Sequence, residues 1–489
     1  MAYHRPLMDE PDDQLNEQPV ATHAGGAAVA DDFVGEGATE LTGRLAGLSL
    51  PRQVYVLAIW PLLEQLLNSL VSFVDMALAG RLSVAVADAV AVTGYIGWLM
   101  GMLLMGLGVG STALIARAVG ARHRRVASAA VGQSMLMAVV WGAAIGFGLW
   151  FGGPPIGRFF QLEGETLALA SLYIRILAFA APLAAVLFVG AACLRGAGDT
   201  RSPFFAMLAV NIVNVIASVL LVFGPAPIGG WGVAGIAMGT TLAWAVGAMC
   251  ILYVLVSGRG GLRLHLHRLR PHWHTMRRII RVGVPSLVES SGMWIGNAIV
   301  GRIVGGLGAS GVLGAHMIAI RIESLGFLPA VAVGTAAATL VGQYLGAGRP
   351  DRARQAGYVC WGVGAGWMAA MGVVFILFPE ALARLLAPDE PTLYEAAAPL
   401  LIIAGPVQVF FGTYMVLAHV LRGAGDTTTA MALTYGCTFL LRLPAAWVLA
   451  EPMGMGLVGV WLALCGELVI RGLVFAARFM HGGWMRVRV

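Results

Sequence analysis

The seven residues LRGAGDT occur twice in this chain, at positions 194–200 and again at positions 421–427. Each copy lies between two long apolar stretches, so its surroundings are duplicated together with the motif. An identical heptapeptide in the same setting in both halves indicates an internal duplication. The chain is therefore expected to fold as two similar halves that pack against each other, an arrangement typical of secondary transporters.

The composition is that of a membrane protein. Hydrophobic residues make up 58% of the chain and charged residues 11%, and the mean hydropathy is +0.81. A soluble globular domain does not have this composition, so we expect an all-α polytopic membrane protein. The sequence contains no lysine, which excludes the lysine-dependent phosphate loop of an ATP-driven pump. It also carries no catalytic motif, so it predicts neither an enzyme nor a cofactor, and no nucleic-acid partner.

Twelve apolar segments are long enough to cross a bilayer, which requires about 20 residues. They fall near 53–79, 88–112, 126–151, 166–192, 204–224, 232–257, 280–303, 312–342, 355–379, 394–420, 429–450 and 455–478. Six of these spans belong to each half of the duplication. The sequence therefore predicts twelve transmembrane helices in two six-helix repeat lobes around a central cavity.

The arginines predict the orientation in the membrane. They cluster in the connections after the even-numbered spans and at the end of the chain, whereas the connections after the odd-numbered spans carry only Arg81, Arg158 and Arg384. Cytoplasmic loops of membrane proteins are enriched in basic residues. Both termini are therefore expected in the cytoplasm, and the chain is expected to be a multi-pass protein of the cell (plasma) membrane.

These features divide the chain into five parts. Residues 1–44 are acidic and rich in Gly, Pro and Ala, and we expect a disordered cytoplasmic tail there. Residues 45–257 form the predicted N-terminal six-helix lobe, and residues 282–480 the C-terminal one. The arginine-rich stretch 258–281 is expected to be a solvated cytoplasmic linker along the lipid head groups, and residues 481–489 a cytoplasmic tail.

A charged side chain in the hydrocarbon core is costly, so an acid inside a span is a candidate functional group. The first span contains Glu64 and Asp75, together with the amides Gln65 and Asn68. Positions 65, 68, 72 and 75 share one helix face, which predicts a polar stripe that faces protein or a water-filled cavity. A buried Asp75 could carry a proton, or it could supply an oxygen ligand to Na⁺.

The fifth and seventh spans hold further polar positions. Asn211, Asn214 and Ser218 share one face of the fifth span, where amides either bind a cation or join helices by hydrogen bonds. The seventh span contains Glu289, and Asn297 lies about two turns further on. In both halves an acid follows shortly after a proline of the first span, so Glu64 and Glu289 are predicted to be repeat counterparts.

Several segments, in their order along the chain, resemble the multidrug and toxic compound extrusion (MATE) family. They are VDMALAGRL in span one, ARAVGARHRRVASAAVGQ after span two, NIVNVIASVLLVFG in span five, VGVPSLVESSG in span seven, GTAAATLVGQYLGAG in span eight, LLRLPAAW in span eleven and both LRGAGDT copies. The resemblance covers about residues 45–480. It implies a V-shaped pair of six-helix lobes, and an antiporter that exports an amphipathic, often cationic compound while Na⁺ or H⁺ enters.

The resemblance also implies roles for single residues. In the family, the cation site of the first lobe uses an acid that matches Asp75 and an asparagine that matches Asn214, so Na⁺ is expected at these two residues if Na⁺ is the coupling ion. The family's second acid is replaced here by Ser218. This loss favours H⁺ slightly, because a proton needs only one titrating group. The acid that matches Glu289 is tied to cation coupling or to the charge of the substrate.

The second lobe matches the family less completely. Some members carry an acid in span ten, where this chain reads AGPVQVFFGTYMVLAH. Gln408 and Tyr414 remain as candidates for polar positions on the cavity wall. Coupling is therefore expected to run through the first lobe, at Asp75 with Asn68 and Asn214.

Two functions remain open. The first is a monomeric secondary antiporter in the lipid bilayer, which exports small organic cations or amphipathic drugs in exchange for H⁺ or Na⁺. The second is a flippase for lipid-linked saccharides from the same superfamily, which predicts an arginine-lined cavity for a pyrophosphate group. Few arginines lie inside the spans, which counts against the flippase. They are Arg175, Arg302, Arg321, Arg442 and Arg471.

Overall fold

The structure is a computed structural model. It describes residues 41, 45–159, 162–225, 227–258, 262–265, 269–308 and 311–489. Regular secondary structure in these ranges is helical throughout, as the sequence predicts. The acidic tail predicted for residues 1–44 lies outside the described residues, apart from Leu41.

Six long helices form the first half. They are α1 (Leu50–Gly80), α2 (Val84–Gly120), α3 (Arg124–Phe159), α4 (Gly164–Gly196), α5 (Arg201–Phe223) and α6 (Gly232–Ser257). Each is long and apolar enough to cross a membrane. Helix α4 packs against α2, α3 and α6, and α5 packs against α6 and α1, so the six helices form one bundle.

The second half repeats this plan with interrupted helices. Its helices are α7 (Trp273–Gly306), α8 (Val312–Gly346), α9 (Pro350–Leu377), α10 (Pro379–Leu386), α11 (Pro391–Ala404), α12 (Gln408–Ala424), α13 (Thr427–Tyr435), α14 (Leu443–Ala450) and α15 (Gly456–His481). A 3-10 turn at Gly405–Val407 joins α11 to α12, because Pro406 has no backbone N–H to continue an α-helix. A π-helical segment, Gly436–Arg442, joins α13 to α14.

The number of spans agrees with the sequence. Within the described ranges, eleven helical segments are long and apolar enough to cross a membrane, with α11–α12 and α13–α14 counted as one each. The twelfth predicted span is α7, a helix of 34 residues whose first turns carry several arginines. The prediction of an all-helical fold with twelve spans is therefore confirmed. Helix α7 begins at Trp273, so it covers the end of the predicted linker 258–281.

The two halves pack together at the end of the bundle where both LRGAGDT copies lie, which we call the inner end. Helix α2 contacts α7 and α8 there, and α1 contacts α8. A Cβ atom on Gly120 would overlap the carbonyl oxygen of Gln343, and one on Gly346 would overlap that of Arg117. Both contacts join positions that the duplication relates, so the inner end is nearly symmetric.

Hydrogen bonds across the inner end follow the same symmetry. Arg117 Nη2 donates to the carbonyl oxygen of Ala424 at 2.7 Å, and Gln343 Nε2 donates to that of Gly196 at 3.0 Å. The first bond connects the last turn of α2 to the end of α12, and the second connects the last turn of α8 to the end of α4. The inner end is therefore closed by close backbone packing and by reciprocal hydrogen bonds.

Replacing Gly120 with Ala is expected to force α2 and α8 apart, because the backbone of Gln343 cannot move away as a flexible side chain could. Overpacking of this kind costs about 1–3 kcal/mol. The measurement is the rate at which a thiol reagent labels Ala116→Cys in detergent, in a protein whose native cysteines are replaced. We expect faster labelling with Gly120→Ala than without it. Gly94→Ala on the same helix, where a Cβ meets nothing within 4 Å, is the control. Equal rates in both variants would contradict the packing argument.

Candidate functional site

Asp75 lies inside the first lobe and is held by side chains from three other helices. The hydroxyl of Thr240 on α6 donates to its Oδ2 at 2.8 Å, and the side-chain amide of Asn214 on α5 donates to its Oδ1 at 3.2 Å. The hydroxyl of Tyr173 on α4 donates to Oδ2 at 3.3 Å. Asp75 is 6% exposed, so these donors replace most of the contact of its carboxyl group with water.

The contacts of Asp75 are all uncharged. Within the described part of the chain, no arginine lies within ion-pair distance of its carboxyl group. The Asn214 amide also approaches Ser218 Oγ at 3.5 Å and Thr240 Oγ1 at 3.1 Å, while its own oxygen Oδ1 is buried without a hydrogen-bond partner. A negative charge on Asp75 is therefore stabilised by dipoles alone.

A cavity of about 640 Å³ lies between the two halves and reaches Asp75. One wall is the polar face of α1, as the spacing of residues 65, 68, 72 and 75 predicts. The opposite wall comes from α8 and α12, with Thr335, His419 and Arg422. Most of the remaining lining is apolar and rich in methionine and tryptophan. These side chains are Met76, Trp98, Met100, Met102, Met105, Met207 and Trp244.

An ion pair in each half closes the inner part of the cavity. Arg195 of the first LRGAGDT copy binds Glu64 at 2.8 Å, and Arg422 of the second copy binds Glu289 at 3.0 Å. Thr434 Oγ1 also donates to Glu289 at 2.9 Å. The two acids are therefore structural counterparts, as predicted, and each is neutralised by the arginine of its own motif. The sequence had placed these arginines in loops rather than beside the cavity.

The second lobe contains a larger buried polar network. Arg442 donates to Glu467 from Nε at 3.0 Å and from Nη2 at 2.7 Å, and its Nη1 donates to Asn297 Oδ1 at 3.1 Å. Arg471 pairs with the same carboxylate across one helical turn and lies over the Tyr414 ring at 4.8 Å. Two arginines thus surround one glutamate in a part of the protein that water hardly reaches.

The structure brings together only part of the predicted coupling group. Asn214 and Ser218 lie beside Asp75, but Asn68 is exposed on the cavity wall and has no hydrogen bond to it. Asn211 turns its amide to the carbonyl oxygen of Met207 on its own helix. Gln65 and Glu64 line the cavity without reaching Asp75. Asn68 lies on the same face of α1 two turns away from Asp75, so its part in the cation site stays a prediction.

The predicted second-lobe residues lie away from this cavity. Glu289, Asn297, Gln408 and Tyr414 all lie outside the lining of the cavity. Gln408 Nε2 donates to Glu323 at 2.7 Å, and Tyr414 packs against Arg471. The buried acids and arginines of the second lobe bind these two side chains inside the bundle, and their role as cavity residues stays a prediction.

Two residues of the Asp75 site were not found from the sequence. Tyr173 is an isolated tyrosine in an apolar span, and nothing in its spacing distinguishes it from a core residue. Thr240 belongs to a threonine pair in the sixth span, which is a weak signal because threonine often donates to its own helix. Both donate to Asp75 because the bundle brings α4 and α6 next to α1.

Arg422→Gln is expected to destabilise the protein, because it leaves Glu289, whose side chain is 1% exposed, without a cation. Breaking a buried ion pair from one side costs about 3–5 kcal/mol. The double variant Glu289→Gln/Arg422→Gln is expected to recover most of the loss in a thermal unfolding measurement in detergent. Arg195→Gln is expected to cost less, since Glu64 is more exposed. A double variant no more stable than Arg422→Gln would contradict this explanation.

Comparison with known sequences identifies the family. The MatE family model matches residues 62–220 and 285–448, one match in each half of the duplication. The probable multidrug resistance protein NorM of Thermotoga maritima is 29% identical over 433 residues, which cover 88% of this chain and 93% of the relative. The multidrug resistance protein PmpM of Pseudomonas aeruginosa is 27% identical over 438 residues, covering 85% and 91%.

Solved structures share the fold at low identity. A crystal structure of MATE in the bent conformation superposes with a TM-score of 0.83 at 22% identity and covers 89% of this chain and 96% of that one. The Vibrio cholerae MATE transporter VcmN in the bent form gives a TM-score of 0.81 at 20% identity, with 88% and 97% covered. Because the family model matches more than half of the sequence, in two copies that follow the duplication, this chain belongs to the MatE family.

Proposed function

We propose that this chain is a secondary antiporter that exports amphipathic organic cations in exchange for H⁺ entering at Asp75. One observation carries the proposal. Asp75 is a buried acid on the cavity wall without an arginine partner, whereas Glu64, Glu289 and Glu467 are each paired with arginine. A paired acid is neutral together with its partner. A buried acid that faces the cavity without a basic partner can be neutralised by a cation that enters the cavity.

The exchange follows from competition for one negative charge. A proton on Asp75 removes the charge, and a cationic substrate in the cavity compensates it from outside. Either partner lowers the free energy gained from binding the other, and this coupling is reciprocal. Uptake of a proton from one side therefore favours release of a cationic substrate, and loss of the proton favours its binding.

The hydrogen bonds around Asp75 favour H⁺ over Na⁺. Tyr173, Asn214 and Thr240 all turn donors towards the carboxylate, whereas Na⁺ requires several oxygen lone pairs directed at one point. The oxygen atom at this site that has no hydrogen-bond partner is Oδ1 of Asn214. Ser218, at the place of the family's second acid, adds no charge. A proton requires only Asp75 itself.

The lining of the cavity supports a range of apolar substrates. Methionine side chains are flexible and polarisable, and such surfaces repack around different ligands. Trp98 and Trp244 offer ring faces to organic cations. The names of the Thermotoga and Pseudomonas relatives, multidrug resistance proteins, agree with this class of substrate. We propose small amphipathic cations as the substrates, with the chain working as a monomer.

The proposed orientation places the inner end and both termini in the cytoplasm of a cell whose plasma membrane holds the protein. The support is the enrichment of arginine in the connections on that side of the bundle. Substrate is then released on the side opposite the closed inner end. We propose transport without catalysis, because the chain belongs to a family whose solved members include transporters.

The alternative is a flippase for lipid-linked saccharides. The observation in its favour is that Arg195 and Arg422 line the cavity, which is more positive charge than the sequence predicted there. Each is already bound to a glutamate, however, so neither presents a free cation to a pyrophosphate group. The antiporter is therefore the better proposal, and the transport assay described next distinguishes the two.

Asp75→Asn is expected to abolish efflux that depends on an ion gradient, because asparagine keeps the size and one of the two acceptor oxygens but cannot bind a proton. The measurement is efflux of a fluorescent cationic dye from proteoliposomes under a pH gradient or a Na⁺ gradient, each imposed alone. The wild-type protein is expected to respond to the pH gradient.

Asp88→Asn is the matched control, since Asp88 is an exposed acid on α2, and it is expected to transport like the wild type. Efflux driven by the Na⁺ gradient alone would replace H⁺ by Na⁺ in the proposal. Wild-type rates in Asp75→Asn would refute the role of this acid. If neither gradient drives efflux in the wild type, movement of a labelled lipid-linked saccharide becomes the test of the flippase.

A further inference from the structure

Structural anchors align the two halves residue by residue around the coupling site. Glu64 and Glu289 are equivalent, because each binds the arginine of its own LRGAGDT copy. Asp75 lies eleven residues after Glu64, and Val300 lies eleven residues after Glu289. The second lobe therefore has Val300, a buried apolar residue, at the place of the coupling acid.

A second pair of contacts aligns the helices that face this position. Gly235 packs on the backbone of Leu221 in the first half, and Gly459 packs on that of Leu449 in the second. Asn214 lies seven residues before Leu221, and Arg442 lies seven residues before Leu449. Arg442 thus takes the place of the amide that binds Asp75.

The π-helical segment accounts for the register of this alignment. Leu221 and Leu449 are 228 residues apart, one more than the 227 that separate the LRGAGDT copies. A π-turn accommodates one additional residue in a helix, and Gly436–Arg442 lies between the motif and Leu449. The additional residue places Arg442 level with Asn214, so that its guanidinium group points into the core of the second lobe.

We infer that the second lobe holds a cation site that the guanidinium group of Arg442 occupies permanently. Arg442 is 5% exposed and fills this site with two hydrogen bonds to Glu467 and one to Asn297. A guanidinium group does not lose its proton in proteins, and a covalently attached cation cannot be exchanged. The second lobe therefore takes no ion from solution during transport, and the antiporter couples one ion per cycle through the first lobe. This inference rests on the proposed role of Asp75.

The charges around Arg442 balance without a further ion. The acids that face it are Glu467 on α15 and Glu323 on α8, and the other cation is Arg471 on α15. Two acids and two arginines are neutral together. Glu323 has no arginine within ion-pair distance among the described residues, and its bond is to the amide of Gln408 at 2.7 Å. It is therefore the rival site for a second coupled ion, and the experiment includes it.

The experiment measures how many ions move with each substrate molecule. Proteoliposomes with the membrane potential clamped at zero receive a series of ion gradients, and the cationic dye is followed until net flux stops. At that point, the logarithm of the dye concentration ratio across the membrane is plotted against the logarithm of the ion concentration ratio. The slope of this plot gives the number of coupled ions. We expect a slope of about one for the wild type and for Glu323→Gln. A slope of two in the wild type would overturn the inference.

Arg442→Gln removes the built-in cation and leaves one acid of the network uncompensated. Its slope is expected to rise above one, because the vacated site now takes an ion from solution. The double variant Arg442→Gln/Glu467→Gln restores neutrality and is expected to return the slope to about one. A purely structural role of Arg442 would change the rate and not the slope, so an unchanged slope in a folded Arg442→Gln protein would overturn the inference.

Two measurements keep the test independent of the folding of Arg442→Gln and of the proposed function. If that variant does not fold, the slopes of the wild type and of Glu323→Gln still decide, since a fall of the slope in Glu323→Gln would show that the second lobe carries an ion. Asp75→Asn tests the proposed function separately. Gradient-driven transport in Asp75→Asn contradicts the role of Asp75 itself, whereas a slope of two with an inactive Asp75→Asn contradicts only the inference about Arg442.

Discussion

A buried carboxylate must be neutralised, and this requirement organises the charged residues of the protein. Three glutamates inside the bundle have arginine partners, and the arginines of the two LRGAGDT copies supply two of these ion pairs. Asp75 is different, because its three partners are uncharged donors on α4, α5 and α6. The permanent ion pairs neutralise these three glutamates, and Asp75 is left as the acid on the cavity wall that has no charged partner among the described residues.

The duplication is kept at one end of the molecule and lost at the other. At the inner end, Gly120 and Gly346, and likewise Arg117 and Gln343, make reciprocal contacts across the two halves. Symmetric contacts suit two bodies that must separate and rejoin as units. Around Asp75 the two halves differ, because the equivalent position in the second half holds Val300. The halves thus share a mechanical role, and they differ in chemistry.

Sequence reasoning found the parts of this structure that depend on pattern. Hydropathy and the repeated heptapeptide gave the spans and the two halves, and the cost of a buried charge pointed to Asp75. It did not find Tyr173 or the partner of Arg442, because such contacts depend on which helices are neighbours and at what height. It also grouped Asn68 with Asp75, since helical periodicity specifies the face of a side chain but not what lies opposite it.

Helix α1 is one direct connection between Asp75 and the closed inner end. The residues bound to Asp75 all lie in the first half, so a change of its charge alters no contact between the halves directly. Helix α1 carries Asp75 near one end, and near the other it carries Gln53, whose Oε1 accepts a hydrogen bond from Tyr344 of α8 at 2.8 Å. It is thus an element that both the ion and the opposite half contact. If Asp75 binds a proton, as we propose, a change in the position or tilt of α1 would act directly on the hydrogen bond between Gln53 and Tyr344 of α8.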